Sequence, residues 1–260
     1  KSRGLGDVYK RQGTINADSV TTITGSAIDI NTAYGSSGIT GLGDENITLD
    51  TPTVDALDLN ALDNNTTGTI NADNVTTITG VDGEINIAYA SNGITGLGDE
   101  NITLIGPDAN DNELFLLVGN TTGTIDAAQV ATIFGFADRI NVAYSSNRIT
   151  GLGDENIKLM QATVVASDLN TLDNNTGGII NADSVIIITG SAVDINTAYG
   201  SDGISKTNLG NETVTLSDLT VKASDLNALD TNNTGGIIKA ESVTTITGSA
   251  IDINNAYGSS

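Results

Sequence analysis

In the phrase SAIDINTAY, Ala27, Ile30, Ala33 and Tyr34 stand at i, i+3, i+6 and i+7 with polar residues between them. That spacing predicts a short amphipathic helix, and Ser26 with Asp29 has the Ser-x-x-Asp spacing of a helix cap. A partner phrase repeats the rhythm with Ala56, Leu59 and Leu62, again with Ala166, Leu169 and Leu172, and again with Ala223, Leu226 and Leu229. Between the helical phrases, residues 20–24 and the Ile-Thr-Leu triplets at Ile47 and Ile102 are β-branched and bounded by Gly, Asn and Asp. These predict short strands between turns. Helices of about eight to ten residues fall below the roughly 12–15 needed for marginal stability alone, so they must be held by packing on the strands.

The two rhythms recur at a fixed period. Tyr34, Tyr89, Tyr144, Tyr199 and Tyr257 close the same phrase, and the repeats begin at Gly13, Gly68, Gly123, Gly178 and Gly236. The period is about 55 residues, a length that marks a repeat architecture. Only the last interval is longer: ISKTNLG at 204–210 replaces ITGLG, and LDTNNTGG from Leu229 carries one extra residue. Each long repeat divides further: Asp29-Ile30-Asn31 is matched by Asp58-Leu59-Asn60 and then by Glu84-Ile85-Asn86. The unit is a coil of about 27 residues that cannot bury its apolar face alone. The expected fold class is α/β: a right-handed repeat solenoid of about nine strand-turn-short-helix coils with a stacked parallel sheet, an all-β solenoid being the alternative.

Composition fixes what such an array can do. Three Phe, one Met and no Trp, His or Cys in 260 residues leave a thin Ile/Leu/Val/Ala column for a core. A net charge of -22 repels phosphate backbones and anionic membrane surfaces, which argues against nucleic acid as a partner. Without Cys or His there is no thiolate nucleophile, imidazole base or usual zinc site, so no enzyme activity is expected. No run of about 18 apolar residues would insert in a membrane. Residues 2–12, SRGLGDVYKRQ, resemble the in-frame translation of a sequencing-library adaptor and hold Tyr9. Setting 1–12 aside as non-native leaves a repeat array over 13–260 with six basic and 31 acidic residues, a charge of -25, expected to be a piece of a longer chain truncated at both ends. Uncapped coils would favour end-to-end self-association.

The sharpest acidic motif is GLGDEN, offering Asp44, Glu45 and Asn46, then Asp99, Glu100 and Asn101, then Asp154, Glu155 and Asn156. Carboxylates and an amide after a Gly turn are calcium-type oxygen ligands, so these nine residues are the candidate metal ligands and calcium the candidate cofactor. The competing reading is a polar turn whose Asp and Asn bond their own backbone. LDNNT, at 62–66 and 172–176, reads as a helix C-terminal turn in which Asn adopts left-handed angles. Glycosidase-type carboxylate pairs need one unusual constellation, whereas these acids recur in every repeat. Thr22 with Thr24, Thr77 with Thr79 and Thr245 with Thr247 place two hydroxyls on one strand face, an ice-binding pattern, but Phe134 and Ile187 break it. All three Phe, residues 115, 134 and 136, fall in the third repeat with the run LFLLV at 114–118, and are expected to fill a different core volume there, a local apolar contact surface being the other reading.

With SDLNALD, VTTITGSAIDINTAYGSSGI and GLGDENITL on the page, the array from Gly13 onward resembles the tandem repeats of giant cell-surface and secreted proteins of marine bacteria, swimming-motility surface proteins of cyanobacteria among them. The resemblance implies export, an extracellular or cell-surface location and a structural or adhesive role. It implies that cell-surface or carbohydrate partners would be met through parts of a parent protein outside this chain. It carries over no catalytic residues.

Overall fold

In a computed structural model that describes residues 13–205 and 209–258, the chain has a repeat, solenoid-like α/β fold in which the described strand pairs are parallel. The adaptor-like residues 2–12, and Lys206 to Asn208 of the altered fourth repeat, lie outside the described residues. Nine short helices follow one another among the described residues: α1 (Ala27–Tyr34), α2 (Ala56–Asn65), α3 (Asp82–Ala90), α4 (Asp111–Asn120), α5 (Ala137–Ser145), α6 (Ala166–Asn175), α7 (Ala192–Gly200), α8 (Ala223–Asn232) and α9 (Ala250–Gly258). Two compact units form, one up to Thr103 with 120–123, the other of 104–119 with everything from Thr124. None of the described helices is long and apolar enough to cross a membrane.

In the first unit, Thr22–Gly25, Asn46–Leu49, Ile70–Asn71 and Ile94–Thr95 make one parallel sheet. Ile23, Ile47, Ile70 and Ile94 stand in one inward row. The outward row of the same sheet is Thr24, Thr48, Asn71 and Thr95, so hydroxyls and an amide from different phrases mix on it. In the second unit the equivalent inward rows are Ala109-Ile133-Ile157-Ile180 and Val164-Ile188-Val214-Ile238. Ile47, Leu59, Leu62, Ile133, Leu169 and Leu172 are at most 1% exposed, and their column is the thin aliphatic core expected from the composition.

A single continuous sheet on one face is not what forms. Helix starts advance in long and short steps, from Ala27 to Ala56 to Asp82 and from Ala166 to Ala192 to Ala223. Paired strands advance by less: Ile23 pairs with Ile47, Ile47 with Ile70, and Ile70 with Ile94. Each sheet therefore slides away from the helices as it grows. Thr163–Val165 abuts α6 directly and Ile187–Gly190 is one residue from α7, but Thr213–Leu216 is six residues short of α8 and Ile238–Lys239 ten short of α9. A fresh strand, Thr220–Lys222, has meanwhile taken the place next to α8 and pairs with Thr245–Thr247. Two helix steps, Ala27 to Asp82, make one sequence repeat, whereas two strand steps reach only from Ile23 to Ile70, so a fresh strand has to restart beside the helices.

Side-chain caps form where the phrase keeps its serine or an aspartate, as at α1, α2 and α7, and are missing at α3, α5, α6 and α8, which begin after Val81, Phe136, Val165 and Lys222. Ser26 accepts from the Asp29 N–H at 3.2 Å and donates to its carboxylate at 2.8 Å, as Ser191 does with Asp194. In each Asp-x-Asn phrase the middle residue enters the core while the Asn reaches the next helix. Asn31 donates to the Asp58 carbonyl at 2.8 Å and Asn60 to the Glu84 carbonyl at 2.9 Å. In the second unit Asn141, Asn170, Asn196 and Asn227 donate to the carbonyls of Asp168, Asp194, Asp225 and Asp252 at 2.8–3.0 Å. The repeated Asn is an amide ladder that joins coil to coil. Replacing the buried Asn60 with alanine is expected to cost about 1–3 kcal/mol, since one carbonyl and one carboxylate lose a donor; the midpoint of urea unfolding measures it.

The LDNNT segments differ from the expected left-handed turn, because among the described residues no residue but glycine has positive φ. Asn64 and Asn65 remain in α2, which ends on an extended Thr66. Asn64 donates back to the Asn60 carbonyl and Asn65 across to Asn31 Oδ1, so their side chains are better satisfied inside the helix than in a cap. The phenylalanines also depart from expectation. Phe115 is 61% and Phe136 43% exposed, and Phe134 is only half-buried; Leu114 and Leu117 fill the core beneath them. Phe115 and Phe134 each follow a fully buried residue, Leu114 and Ile133, and so point to another face of their element.

Candidate functional site

The GLGDEN turns place their three polar residues in three directions. The chain enters through Gly41, Gly96 and Gly151 at φ 83° to 84°, a left-handed angle that strains any other residue. The next segment is strand-like, and its two-residue period divides the motif. Asp44, Asp99 and Asp154 face solvent, whereas Glu45, Glu100 and Glu155 share the inward face with the Ile and Leu that follow and are at most 1% exposed. Asn46 and Asn156 turn sideways to accept the backbone N–H of Thr69 and Ile179 at 2.9 and 3.0 Å. Asn101 is exposed in the same strand position. The nine candidate ligands are thus present at equivalent places, but the Asp, Glu and Asn of each motif do not converge on one point. Among the described residues no group of three acidic side chains is placed to hold a metal ion.

What each buried glutamate meets is a tyrosine. Tyr34 donates to Glu45 Oε2 at 2.8 Å, Tyr89 to Glu100 at 2.9 Å and Tyr144 to Glu155 at 2.7 Å. The same oxygen accepts the backbone N–H of Gly43, Gly98 and Gly153, each at 2.9 Å. From the following segment, Thr66, Thr121 and Thr176 donate their hydroxyls to the Glu backbone carbonyls at 2.6–2.7 Å. Gly68, Gly123 and Gly178 then donate to those threonines at 2.9–3.0 Å. A Cβ on Gly68 would lie 2.2 Å from the Glu45 carbonyl oxygen, so only glycine allows the next coil to come this close.

A fourth copy exists that the motif does not spell. Glu212, in LGNET, is 1% exposed and accepts from Tyr199 at 3.1 Å and from the Gly210 N–H at 2.8 Å. Asn233 replaces the threonine and donates to the Glu212 carbonyl at 3.0 Å. The tyrosines, read from sequence only as markers of the period, and Glu212, hidden by the altered turn, are the members that motif reading misses. Parity was the available signal. Glu45, Ile47 and Leu49 alternate with outward residues, and so do Glu212, Val214 and Leu216.

Among the described residues no cation is paired with these glutamates, and the electrostatics follow from burial. Burial first, then the hydrogen bond to Glu45 and its charge, push the Tyr34 hydroxyl up to about 12. Burial and the partner glutamate push Tyr89, Tyr144 and Tyr199 above their ordinary range as well. Burial by itself works against the charged Glu45, but the N–H of Gly43 and of Glu45, the Tyr34 hydroxyl and the N–H of Asp44 hold its carboxyl below the usual value. The second oxygen, Oε1, of Glu45, Glu100 and Glu212 is buried without a hydrogen-bond partner. Chemically this is a locked anion, with a hydroxyl and amides spent on it.

Fold and sites together define an α/β repeat solenoid whose coils are locked by buried Tyr-Glu pairs, each braced by a threonine or, once, an asparagine, and by an asparagine ladder between helices. Comparison with protein-family models, with curated proteins and with solved structures finds no match.

Proposed function

We propose that this chain is a non-catalytic structural or adhesive segment of a long extracellular or cell-surface protein, serving reach and spacing. The observation that carries this reading is the recurrence of one constellation four times with the same partners: Tyr34-Glu45, Tyr89-Glu100, Tyr144-Glu155 and Tyr199-Glu212. Catalysis needs acids in unlike environments that push their pKa values apart, and an array gives each copy the same one. The glutamates are consumed in holding coils together, and the solvent-facing acids keep a chain of net charge -22 soluble. The resemblance of its phrases to exported repeat proteins supplies the location.

A second reading, a calcium-stiffened module, rests on Asp44, Asp99 and Asp154, exposed at equivalent positions beside flexible glycines. Thermal melts followed by circular dichroism separate the two, with EDTA, with millimolar calcium chloride and with sodium chloride of equal ionic strength. Calcium and matched sodium are expected to raise the midpoint alike, because both screen self-repulsion; at marine ionic strength the Debye length falls to about 4 Å. A calcium effect far beyond that of matched sodium replaces the passive reading with the calcium module. A midpoint that ignores salt altogether counts against the account of the acidic surface.

A further inference from the structure

The asparagine ladder breaks at one place within the second unit. In α4 the shared phrase reads Glu113-Leu114-Phe115, so a phenylalanine stands where the connecting Asn belongs. In α5 it reads Arg139-Ile140-Asn141, so an arginine replaces the acid. The two departures face each other. Without the amide bridge a groove opens between α4 and α5, lined by Leu114, Phe115, Val118, Arg139, Val142 and Ala143, with a cavity of about 60 Å³. That volume holds a few waters or the end of one aliphatic side chain.

Charge marks the same spot. Outside residues 1–12 the chain has two arginines, Arg139 and Arg148; Arg139 lines this groove, and Arg148 bonds one of its lining residues. Arg148 donates to the Val118 carbonyl at the end of α4. Arg139 is exposed; its partners among the described residues are Asn112 Oδ1 at a long 3.5 Å and the Phe136 ring at 5.4 Å. A cation over an apolar cavity fits an aliphatic side chain with a carboxylate beside it. The chain itself presents that chemistry. Ile28-Asp29, Leu57-Asp58, Val193-Asp194 and Ile251-Asp252 each put an aliphatic side chain, 59–70% exposed, next to an acid in the first turn of a helix. In three of them the acid already accepts from a capping serine, Ser26, Ser191 or Ser249. At Leu57-Asp58 an aspartate, Asp55, takes the serine's place.

We propose that the α4–α5 groove is a self-recognition site that receives the Leu57-Asp58 corner of α2 from a second copy of this chain, Leu57 entering the cavity and Arg139 pairing with Asp58. Burial and then the charge of Asp55 already push the Asp58 carboxyl above its ordinary value, and an incoming guanidinium offsets that repulsion with an opposite charge. The contact is lateral and goes beyond the spacer role: it would let two arrays hold each other side to side.

Sedimentation velocity of the whole chain over a concentration series tests it, with circular dichroism to confirm that each variant folds. The wild-type chain is expected to associate reversibly. Arg139→Asp, which restores the acid of the other helices, and Asp58→Arg should each weaken association by about tenfold or more, and the double variant should recover it. A wild-type chain that stays monomeric throughout overturns the proposal. So does association that both single variants leave unchanged, which would put the contact at the array ends, and so does loss in the singles with no recovery in the double.

Discussion

Glu100→Ala is expected to lower the stability of the first unit by about 3 kcal/mol, while Asp99→Ala, one residue earlier in the same GLGDEN motif, leaves it within about 0.5 kcal/mol. The alanine strands two half-buried donors, the Tyr89 hydroxyl and the Gly98 N–H, which now meet at Glu100 Oε2, and it leaves a void where a fully buried side chain stood. Each stranded donor costs about 1–3 kcal/mol, offset in part because an anion no longer has to be buried. Glu100→Gln should lie between, since an amide oxygen still accepts from both donors. Urea unfolding of the three variants measures the series. Equal effects at Asp99 and Glu100 would mean that the glutamate is no more than another surface acid.

Raising the pH above 10 should unfold the chain, with tyrosine ionisation and loss of secondary structure in one transition. The sign follows from linkage. A hydroxyl whose folded value lies above its unfolded one stabilises the fold fully below the unfolded value, and that contribution is lost as pH rises through the folded value. For Tyr34 the window runs from the ordinary 10.0 to about 12. Tyr89, Tyr144 and Tyr199 are displaced in the same direction by burial and by their glutamates, so four contributions fall together. Tyrosinate absorbance and circular dichroism, recorded on one sample against pH, would give coincident midpoints. In a chain with Tyr9 and Tyr257, which belong to none of the four pairs, replaced by phenylalanine, tyrosine titration near 10 ahead of any unfolding would show that the hydroxyls do not donate to the glutamates. Replacing Glu45 with glutamine should bring Tyr34 part of the way back towards 10.0, because the charge is removed while the burial stays.

The candidate site was half legible in the sequence. GLGDEN pointed to the right turns, but the polar-turn reading, in which its Asp and Asn bond their own backbone, differs from what Asn46 and Asn156 do: they accept the N–H groups of Thr69 and Ile179, 23 residues on in the next coil. Composition alone treats Asp44, Glu45 and Asn46 as three interchangeable oxygen donors. Strand parity separates them, because side chains alternate across a pleat, and it sends the glutamate inward beside Ile47 and Leu49. Its partner Tyr34 closes the preceding helix. No local pattern pairs a helix end with a strand start, so the Tyr-Glu bond became visible only once both were placed.

Local spacing was enough to set the helices, their caps, the inward aliphatic positions and the parallel repeat order. Ala27 with Ile30, Ser26 with Asp29 and Ile47 with Leu49 each lie within one turn or one pleat, where periodicity is a direct consequence of backbone geometry. What each polar residue is for depended on packing. Asn31 and Asn60 look like surface amides in the sequence and become links between coils, because the carbonyls they reach belong to the next helix, at Asp58 and Glu84. Packing also sets how the sheets break. Strand partners such as Ile23 and Ile47 lie closer in the sequence than helix starts such as Ala27 and Ala56, and two series of unequal step cannot stay in register, so within a unit the sheet slides and restarts.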